Sequence, residues 1–180
     1  MRRKKIFRFF DRYFGIPLVL FLALFTRRKR RLPIEDIQNI LFIKLAAIGD
    51  AILLIPALRK LKNSFPNARI TFMCSDINLS VIEKIPYVDK IINCRVYDFL
   101  KNPLNFYRFV KELRKTKYEV VIDAGQWERI NSIITLFTRR DYSIGFRTKG
   151  QWKHVVNDAV VAHSRTKHEV ENFMDLLMPL

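Results

Sequence analysis

Residues 40 to 62 read Ile-Leu-Phe-Ile-Lys-Leu-Ala-Ala-Ile-Gly-Asp-Ala-Ile-Leu-Leu-Ile-Pro-Ala-Leu-Arg-Lys-Leu-Lys. The first six residues, 40–45, are apolar except for one lysine, which predicts a strand buried in a sheet. Mostly small residues follow at 46–49, then one carboxylate, Asp50, and then a helical pattern. Because open α/β sheets bind ligands outside the carboxyl ends of their strands, Asp50 occupies a candidate ligand-binding position.

The rest of the chain alternates between strand and helix patterns. Strands are predicted at residues 69–74, 90–94, 118–122, 142–146 and 155–162, and helices at residues 76–84, 103–115, 130–137 and 168–177. Most of these strands are apolar along their whole length, which is typical of a parallel sheet covered on both faces. We therefore expect an α/β fold: a Rossmann-like, mostly parallel sheet with helices on both faces.

Several classes of protein are excluded by motifs that the sequence lacks. No G-x-G-x-x-G follows the first strand, and neither a P-loop, an H-E-x-x-H nor a G-x-S-x-G motif occurs. The two cysteines, Cys74 and Cys94, are twenty residues apart and form no C-x-x-C, which argues against a zinc site. They are typical of a reducing compartment, where lone cysteines behave as small hydrophobes. No metal and no cofactor are expected.

The sequence around Asp50 resembles the opening of glycosyltransferase family 9, which includes the ADP-heptose:lipopolysaccharide heptosyltransferases. The shared pattern is a hydrophobic strand, a basic residue, small residues, Gly-Asp and a helix with an early proline, here Lys44, Ala46, Ala47, Gly49, Asp50 and Pro56. The resemblance extends over residues 38–180. It implies the N-terminal, acceptor-side domain of a GT-B glycosyltransferase, whose nucleotide-sugar binds chiefly to a C-terminal domain that we expect to be absent from this chain.

Asp50 has two interpretations. An aspartate at the start of a helix is commonly a cap that accepts a backbone N–H and complements the helix dipole. The family resemblance instead implies a general base, which takes the proton from the acceptor hydroxyl as that hydroxyl attacks the donor sugar. The small residues Ala47 and Gly49 would leave room for the acceptor beside it.

Other candidate acceptor-binding residues lie at strand ends. Lys44 interrupts an apolar strand, so it either snorkels at the strand end or stabilises the charge of an acidic acceptor. Asp123 ends a second apolar strand and is followed by Gly125 and Gln126. This segment is either an acceptor-side loop, with Asp123 and Gln126 as contacts, or a helix start that Asp123 caps.

A basic loop follows the predicted strand 142–146. It places Arg147, Lys149, Lys153 and His154 around two glycines, and the family often has Gly-Phe followed by basic residues here. The loop is either a solvated surface or a cradle for phosphate or carboxylate groups of an anionic glycolipid, with Arg147 and Lys149 as contacts. No nucleic acid is expected, because few aromatic residues are interleaved with the cations. His168, which opens the last predicted helix, is expected to be structural.

The N-terminal segment, residues 1–32, is both basic and apolar. It holds eleven Lys or Arg residues against one Asp, a net charge of +10 out of +16 for the chain. Its uncharged run, residues 14–25, would cover about 18 Å as a helix, against about 30 Å of hydrocarbon in a bilayer. No small-x-small cleavage site follows, so a signal peptide is not indicated. We expect residues 6–26 to lie in the membrane interface; packing on the protein's own domain and a true span remain alternatives.

These observations give one expectation for the whole chain. Residues 1–32 would associate with the membrane, and residues 33–180 would form the acceptor-side domain of a heptosyltransferase-like enzyme at the cytoplasmic face of a bacterial inner membrane. The enzyme would transfer a sugar from a nucleotide-sugar such as ADP-heptose to a lipopolysaccharide-type, anionic lipid-linked acceptor. The alternative is a non-catalytic Rossmann-like module that binds an anionic glycolipid or a protein partner at the membrane.

Overall fold

Strands and helices alternate through the computed structural model, which describes residues 17, 20, 21 and 37–180. The strands are β1 (Asn39–Ile43), β2 (Arg69–Cys74), β3 (Lys90–Asn93), β4 (Lys117–Asp123), β5 (Arg139–Arg147) and β6 (Ala159–Ala162). The α-helices are α1 (Ile48–Leu53), α2 (Ile55–Ser64), α3 (Leu79–Ile82), α4 (Val96–Lys101), α5 (Pro103–Leu113), α6 (Arg129–Phe137) and α7 (Glu169–Asp175). A short 3₁₀ helix, Lys153–Val156, precedes β6.

The six strands form one sheet in the order β3-β2-β1-β4-β5-β6. Every neighbouring pair is parallel. The chain moves outward in one direction from β1 to β3, then returns to the middle and continues from β4 to β6. This is the strand order of the Rossmann fold, and the predicted α/β architecture is confirmed. The direction reverses between β1 and β4, where Ile43 is in register with Asp123.

Helices cover both faces of the sheet. Successive residues of β1 point to opposite faces, so Ile40 and Phe42 join one core cluster and Leu41 and Ile43 the other. The first cluster includes side chains of α1, α2, α3 and α7, and the second includes side chains of α5 and α6. These four β1 residues are fully buried, which explains why the strand is apolar after Asn39.

Two predicted elements differ markedly from the structure, and one helix of the structure was not predicted. The strand predicted at residues 155–162 is β6 only from Ala159 onward, and its first residues belong to the 3₁₀ helix. The helix predicted at residues 76–84 is a single turn, α3. Helix α4 was not predicted, because it has only six residues and its preceding residue, Arg95, makes no side-chain cap.

Both cysteines lie at the carboxyl edge of the sheet. Cys74 ends β2, and Cys94 directly follows β3 and donates its backbone N–H to the Cys74 carbonyl at 2.8 Å. Both are buried and form no disulfide. Burial raises the pKa of Cys74 to about 11 and that of Cys94 to about 12. They therefore serve as packing residues, as the sequence predicts.

The predicted membrane-interface segment, residues 6–26, lies almost wholly outside the described residues. Within the part of the chain that the structure describes, no helix has the length and apolar character needed to cross a bilayer.

Candidate functional site

Lys44 lies directly after β1, at the point where the strand order reverses. Its side chain is 0% exposed, so the interpretation of a lysine that snorkels to solvent is wrong. Its Nζ forms an ion pair with Asp50 Oδ2 at 2.7 Å and donates a hydrogen bond to Gln126 Oε1. The ring of Phe173 lies 5.8 Å from the same Nζ. The buried cation is thus stabilised by a carboxylate, an amide oxygen and an aromatic face.

Asp50 belongs to the first turn of α1 but does not cap it. The residue at the cap position is Ala47, which makes no side-chain hydrogen bond, so the interpretation of Asp50 as a hydrogen-bonding cap is wrong. Its place in the first turn does put its charge where it complements the helix dipole. The Asp50 side chain is 30% exposed, whereas that of its partner Lys44 is fully buried. The carboxylate is therefore held by the lysine from inside the protein and is accessible from solvent.

The space beside Asp50 is open. Ala47 and Gly49 are both exposed, and a Cβ atom added to Gly49 would meet nothing within 4 Å. No packing within the described chain therefore requires a glycine at this position. Gly49 directly precedes Asp50, so this exposed backbone and the partly exposed carboxylate lie in the same turn of α1.

Gln126 connects three strand-end segments. It follows β4, is only 4% exposed, and accepts a hydrogen bond from Lys44. Its Nε2 donates to Glu169 Oε1 at the start of α7. The segments after β1, β4 and β6 are thereby joined through one amide, whose oxygen and nitrogen are both used. Gln126 thus lies beneath the Lys44–Asp50 pair and is positioned to fix the lysine.

Glu169 is held by several donors, and the sequence did not indicate it. His163 Nε2 lies 3.0 Å from Glu169 Oε1, and Asn172 Nδ2 donates to Glu169 Oε2 at 3.1 Å. Burial alone would raise the pKa of Glu169, but the hydrogen bonds from Gln126 and His163 outweigh it and hold the pKa below its ordinary value. Gln126 and Glu169 are 43 residues apart, so only the fold reveals the contact.

Asp123 is fully buried, and its carboxylate is surrounded by protein donors. Oδ2 lies 2.8 Å from Lys153 Nζ and accepts a hydrogen bond from Ser132 Oγ at 2.9 Å. Oδ1 accepts from the Gly125 N–H at 3.0 Å and from Asn131 Nδ2 at 3.2 Å. Because the residue that precedes α6 is Glu128, the helix-cap interpretation of Asp123 is wrong. Asp123 instead ties the segment after β5 to the segment after β4.

The cations of the predicted basic loop do not act together. Lys153 is fully buried in its ion pair with Asp123, so it is not available to a ligand. Arg147 and Lys149 are exposed where β5 ends. His168, as expected, is structural: its Nδ1 accepts a hydrogen bond from the Val170 N–H at the start of α7.

The arrangement can support proton transfer at the carboxyl edge of the sheet. A general base must be an accessible acceptor within hydrogen-bond reach of the proton that it removes, and Asp50 meets the first condition. Among residues 37–180 and the three described residues before them, no cluster of three or more His, Cys, Asp or Glu side chains could hold a metal ion. The fold and the Lys44–Asp50 pair define a Rossmann-like domain with a partly exposed carboxylate at the reversal of strand order.

Comparison with known proteins finds a protein of similar sequence. No protein-family model matches the chain. Its sequence is similar to lipopolysaccharide heptosyltransferase 3 of Escherichia coli K12, with 26% identity over 140 residues. The match covers 73% of this chain but only 39% of that protein.

Solved structures show the same fold. The E. coli heptosyltransferase WaaC with ADP superposes with a TM-score of 0.67 and 18% identity, covering 77% of this chain and 46% of WaaC. A glycosyltransferase family 9 protein from Veillonella parvula gives the same TM-score and 20% identity, covering 79% of this chain and 41% of that protein. The resemblance to glycosyltransferase family 9 is thus confirmed. The chain spans less than half the length of each of these three proteins.

Proposed function

We propose that this chain is the acceptor-side domain of a heptosyltransferase-like glycosyltransferase. The observation that carries the proposal is the Lys44–Asp50 ion pair at the point where the strand order reverses, with Asp50 partly exposed and directly after the exposed Gly49. The similarity to lipopolysaccharide heptosyltransferase 3 supports sugar transfer to a lipopolysaccharide-type acceptor.

Asp50 is the proposed general base. Its carboxylate takes the proton of the acceptor hydroxyl while that oxygen attacks the anomeric carbon of the donor sugar. The bond between the anomeric carbon and the diphosphate breaks on the opposite side, so the configuration at that carbon is inverted. The nucleoside diphosphate leaves with the electron pair.

Lys44 acts as a positioning residue in this scheme. It is fully buried and already engages Asp50, Gln126 and the ring of Phe173, so it has no surface for the acceptor. Its cation fixes the orientation of the Asp50 carboxylate. Gln126 and Glu169 in turn fix the lysine through the hydrogen bonds that join the three strand-end segments.

The donor would bind outside this chain. The sequence has five glycines, none of which form a glycine-rich loop that could cradle a diphosphate. WaaC has been solved with ADP and with ADP-2-deoxy-2-fluoro heptose, which supports a nucleotide-sugar donor of that kind. We therefore propose a GT-B arrangement, in which a second α/β domain carries the donor and meets this domain at the carboxyl edge of its sheet.

The acceptor is proposed to be anionic. Arg147 and Lys149 are exposed at the end of β5, on the same edge of the sheet as Asp50. Guanidinium and ammonium groups bind phosphate and carboxylate strongly, and lipopolysaccharide-type acceptors carry such groups. Asp123, in contrast, supports the site from inside the protein, because its buried carboxylate already binds Lys153.

The test of this proposal is the replacement Asp50→Asn in the enzyme completed by its donor domain. Asparagine keeps the size of the side chain and can still accept a hydrogen bond from Lys44, but it cannot take a proton. We expect the fold to persist and turnover to fall by roughly 10²- to 10⁴-fold, the usual contribution of general acid–base catalysis. Radiolabelled sugar transfer to a rough lipopolysaccharide acceptor measures this effect.

Exposed acidic residues provide a control. Glu112→Gln on α5 removes a carboxylate that is 68% exposed and lies on a helix remote from Asp50 in sequence, and it should leave turnover unchanged. Near-normal transfer by Asp50→Asn would refute the general-base role. Acceptor binding without any transfer by the completed protein would favour a non-catalytic glycolipid-binding module.

We further propose that residues 1–32 hold the protein on the cytoplasmic face of a bacterial inner membrane. An uncharged run between two basic clusters combines apolar insertion with attraction to anionic lipid, worth roughly 1 kcal/mol per cation. Deleting residues 1–32 should move the protein to the soluble fraction, whereas high salt should release only part of the full chain. A truncated protein that still sediments with membranes would place the anchor elsewhere.

A further inference from the structure

Helix α5 presents both apolar and basic side chains to solvent, on the side opposite to its core contacts. Leu104 is 58% exposed and Tyr107 is 65% exposed. Arg108 and Lys111 are exposed as well. Residues three or four positions apart lie on the same face of a helix, so these four side chains form one continuous stripe. We call this stripe the outer face of α5.

The inner side of α5 attaches the helix to the domain through aromatic contacts. The ring centre of Phe106 lies 5.3 Å from that of Phe99 on α4 and 5.5 Å from that of Phe137 on α6. Phe109 contacts Phe99 as well, at 5.2 Å. Of the eleven residues of α5, all of which the structure describes, only Leu113 is buried. The helix therefore belongs to the folded domain and still leaves much of its surface accessible. A surface helix normally carries polar residues on its outer face, which Leu104 does not fit.

The outer face of α5 lies in a strongly basic part of the domain. Residues 95–117 hold seven Lys or Arg against two Asp or Glu, a net charge of +5, whereas residues 33–180 as a whole carry +6. Both acids of this segment pair with lysines that are not part of the outer face. Among the described residues, no acidic side chain pairs with Arg108 or Lys111. The positive charge of the outer face is therefore left for a partner.

Charge decides what can cover this face. The N-terminal segment, residues 1–32, carries +10, so the cations of α5 would repel it, and they would repel the same face of a second copy. An anionic bilayer surface complements the face in both respects. Its phosphate groups attract arginine and lysine, and leucine and tyrosine enter the boundary between headgroups and acyl chains. The long stems of the basic side chains let their charges stay at the headgroups while the helix approaches the lipid.

We propose that the outer face of α5 docks the folded domain on an anionic lipid surface. The choice of lipid over an acidic protein rests on the proposed membrane location of the enzyme, whereas the face itself is independent of residues 1–32. Two attachments would fix the orientation of the domain, which one flexible attachment would not. Because α5 covers one face of the sheet, this orientation points the carboxyl edge, and with it Asp50, along the membrane. A lipid-linked acceptor could then reach Asp50 without leaving the bilayer.

The test measures the environment of α5 in the full 180-residue chain. An environment-sensitive fluorophore is attached through Tyr107→Cys on the outer face, or through Ser64→Cys at the end of α2, which packs on the opposite face of the sheet. Both native cysteines are buried and have raised pKa values, so they should not compete for the label. The probes are vesicles of phosphatidylethanolamine with phosphatidylglycerol, and vesicles of phosphatidylcholine as the neutral comparison.

The two labelled positions should respond differently to lipid. We expect anionic vesicles to shift the emission at position 107 to shorter wavelength, and a quencher carried by the lipid to reduce it, while the label at position 64 changes in neither way. Neutral vesicles should give a smaller shift at position 107. Added salt should weaken the response to anionic vesicles, because exposed cations are screened.

Charge variants with the label at position 107 separate the outer face from the overall charge. Arg108→Gln combined with Lys111→Gln should lower the apparent affinity for anionic vesicles by about tenfold or more. Arg59→Gln combined with Lys60→Gln removes two exposed cations from α2, so it changes the net charge equally and should leave the affinity almost unchanged. An equal loss in the two double variants would mean that only net charge matters, and it would overturn the docking face.

The remaining outcomes distinguish the docking face from the proposed function. If the chain binds anionic vesicles but position 107 responds no more than position 64, the docking face is wrong and anchoring by residues 1–32 stands. If the chain binds no vesicles, both membrane proposals are wrong, and the role of Asp50 is still decided by sugar transfer. A response of position 107 to polyglutamate as strong as its response to anionic vesicles would show that the face recognises acidic chains, which would overturn lipid as its partner.

Discussion

Two lysines with the same burial have different roles in this protein. Lys44 and Lys153 are both fully buried, and each forms an ion pair with an aspartate. Asp50 is 30% exposed, whereas Asp123 is 0% exposed. A ligand can therefore reach the first carboxylate but not the second. Both aspartates form an ion pair with a lysine, so the ion pair alone does not distinguish them. The exposure of Asp50 marks the candidate catalytic site, whereas the buried Asp123 has a structural role.

Removing only one partner of the buried Lys153–Asp123 ion pair should strongly lower the stability of the protein. Lys153→Met leaves the Asp123 carboxylate buried without its cation, and such changes cost about 3–5 kcal/mol in the free energy of unfolding. The double variant Lys153→Met with Asp123→Asn removes the stranded charge, so it should recover part of that loss. Urea unfolding measures both values.

A surface ion pair provides the matched control. Lys62 and Asp89 are both partly exposed and 3.0 Å apart, so Lys62→Met should cost no more than about 1 kcal/mol. If Lys153→Met costs as little as Lys62→Met, the Asp123 carboxylate does not depend on its lysine.

At the scale of the elements, the sequence predicts those parts that depend on local pattern. The β2 bounds match the prediction at both ends, because an apolar run lies between polar turns. The prediction of β6 begins too early, because the apolar pair Val155–Val156 belongs to a 3₁₀ helix that only the neighbouring elements define.

The sequence predicts less of the candidate site than of the fold. Asp50 and Lys44 could be selected because they interrupt an apolar pattern at a strand end. The support from Glu169 and His163 could not, since Glu169 of α7 meets Gln126 from a distant part of the chain, and His163, just after β6, contacts Glu169. The burial of Lys153 likewise follows from packing of its loop on β4 and α6, and no local pattern distinguishes it from Lys149.

Two glycines in different elements should respond differently to an added methyl group. In β5, a Cβ atom on Gly145 would overlap the side chain of Asn157, which is itself buried. Gly145→Ala should therefore lower the free energy of unfolding by about 1–3 kcal/mol, the usual cost of overpacking. Thermal unfolding followed by circular dichroism measures this change.

The control is Gly49→Ala in α1, where the added Cβ meets nothing. Alanine has the higher helix propensity, so this variant should be as stable as the parent or up to about 1 kcal/mol more stable. Because its methyl group enters the space beside Asp50, it should nevertheless reduce sugar transfer in the completed enzyme. Loss of stability in Gly49→Ala, or full activity with it, would show that this space is not a substrate site.

At the scale of the whole molecule, several exposed apolar side chains of the described residues lie at one edge of the sheet. Several of the large exposed ones follow the carboxyl ends of strands, namely Ile48, Ile77, Tyr97, Trp127 and Trp152. Exposed apolar surface of this kind is typical of sites that bind a ligand or another domain. The Lys44–Asp50 pair lies on the same edge, which is consistent with a reaction that takes place between this domain and a donor domain.

The 180-residue chain by itself should bind the sugar donor only weakly. Sugar transfer needs a bound donor, and in the described part of the chain the leaving diphosphate would meet exposed surface cations such as Arg147, Lys149 and Arg165. Such attraction is weak and is screened by salt, with a Debye length of about 8 Å at physiological ionic strength. We therefore expect the chain to bind ADP-heptose no better than about millimolar, near −4 kcal/mol, and to transfer no sugar. Titration calorimetry at two salt concentrations measures the affinity and its ionic component. Micromolar, salt-insensitive binding would mean that the donor site lies in this domain, and the proposed division between acceptor and donor domains would then be wrong.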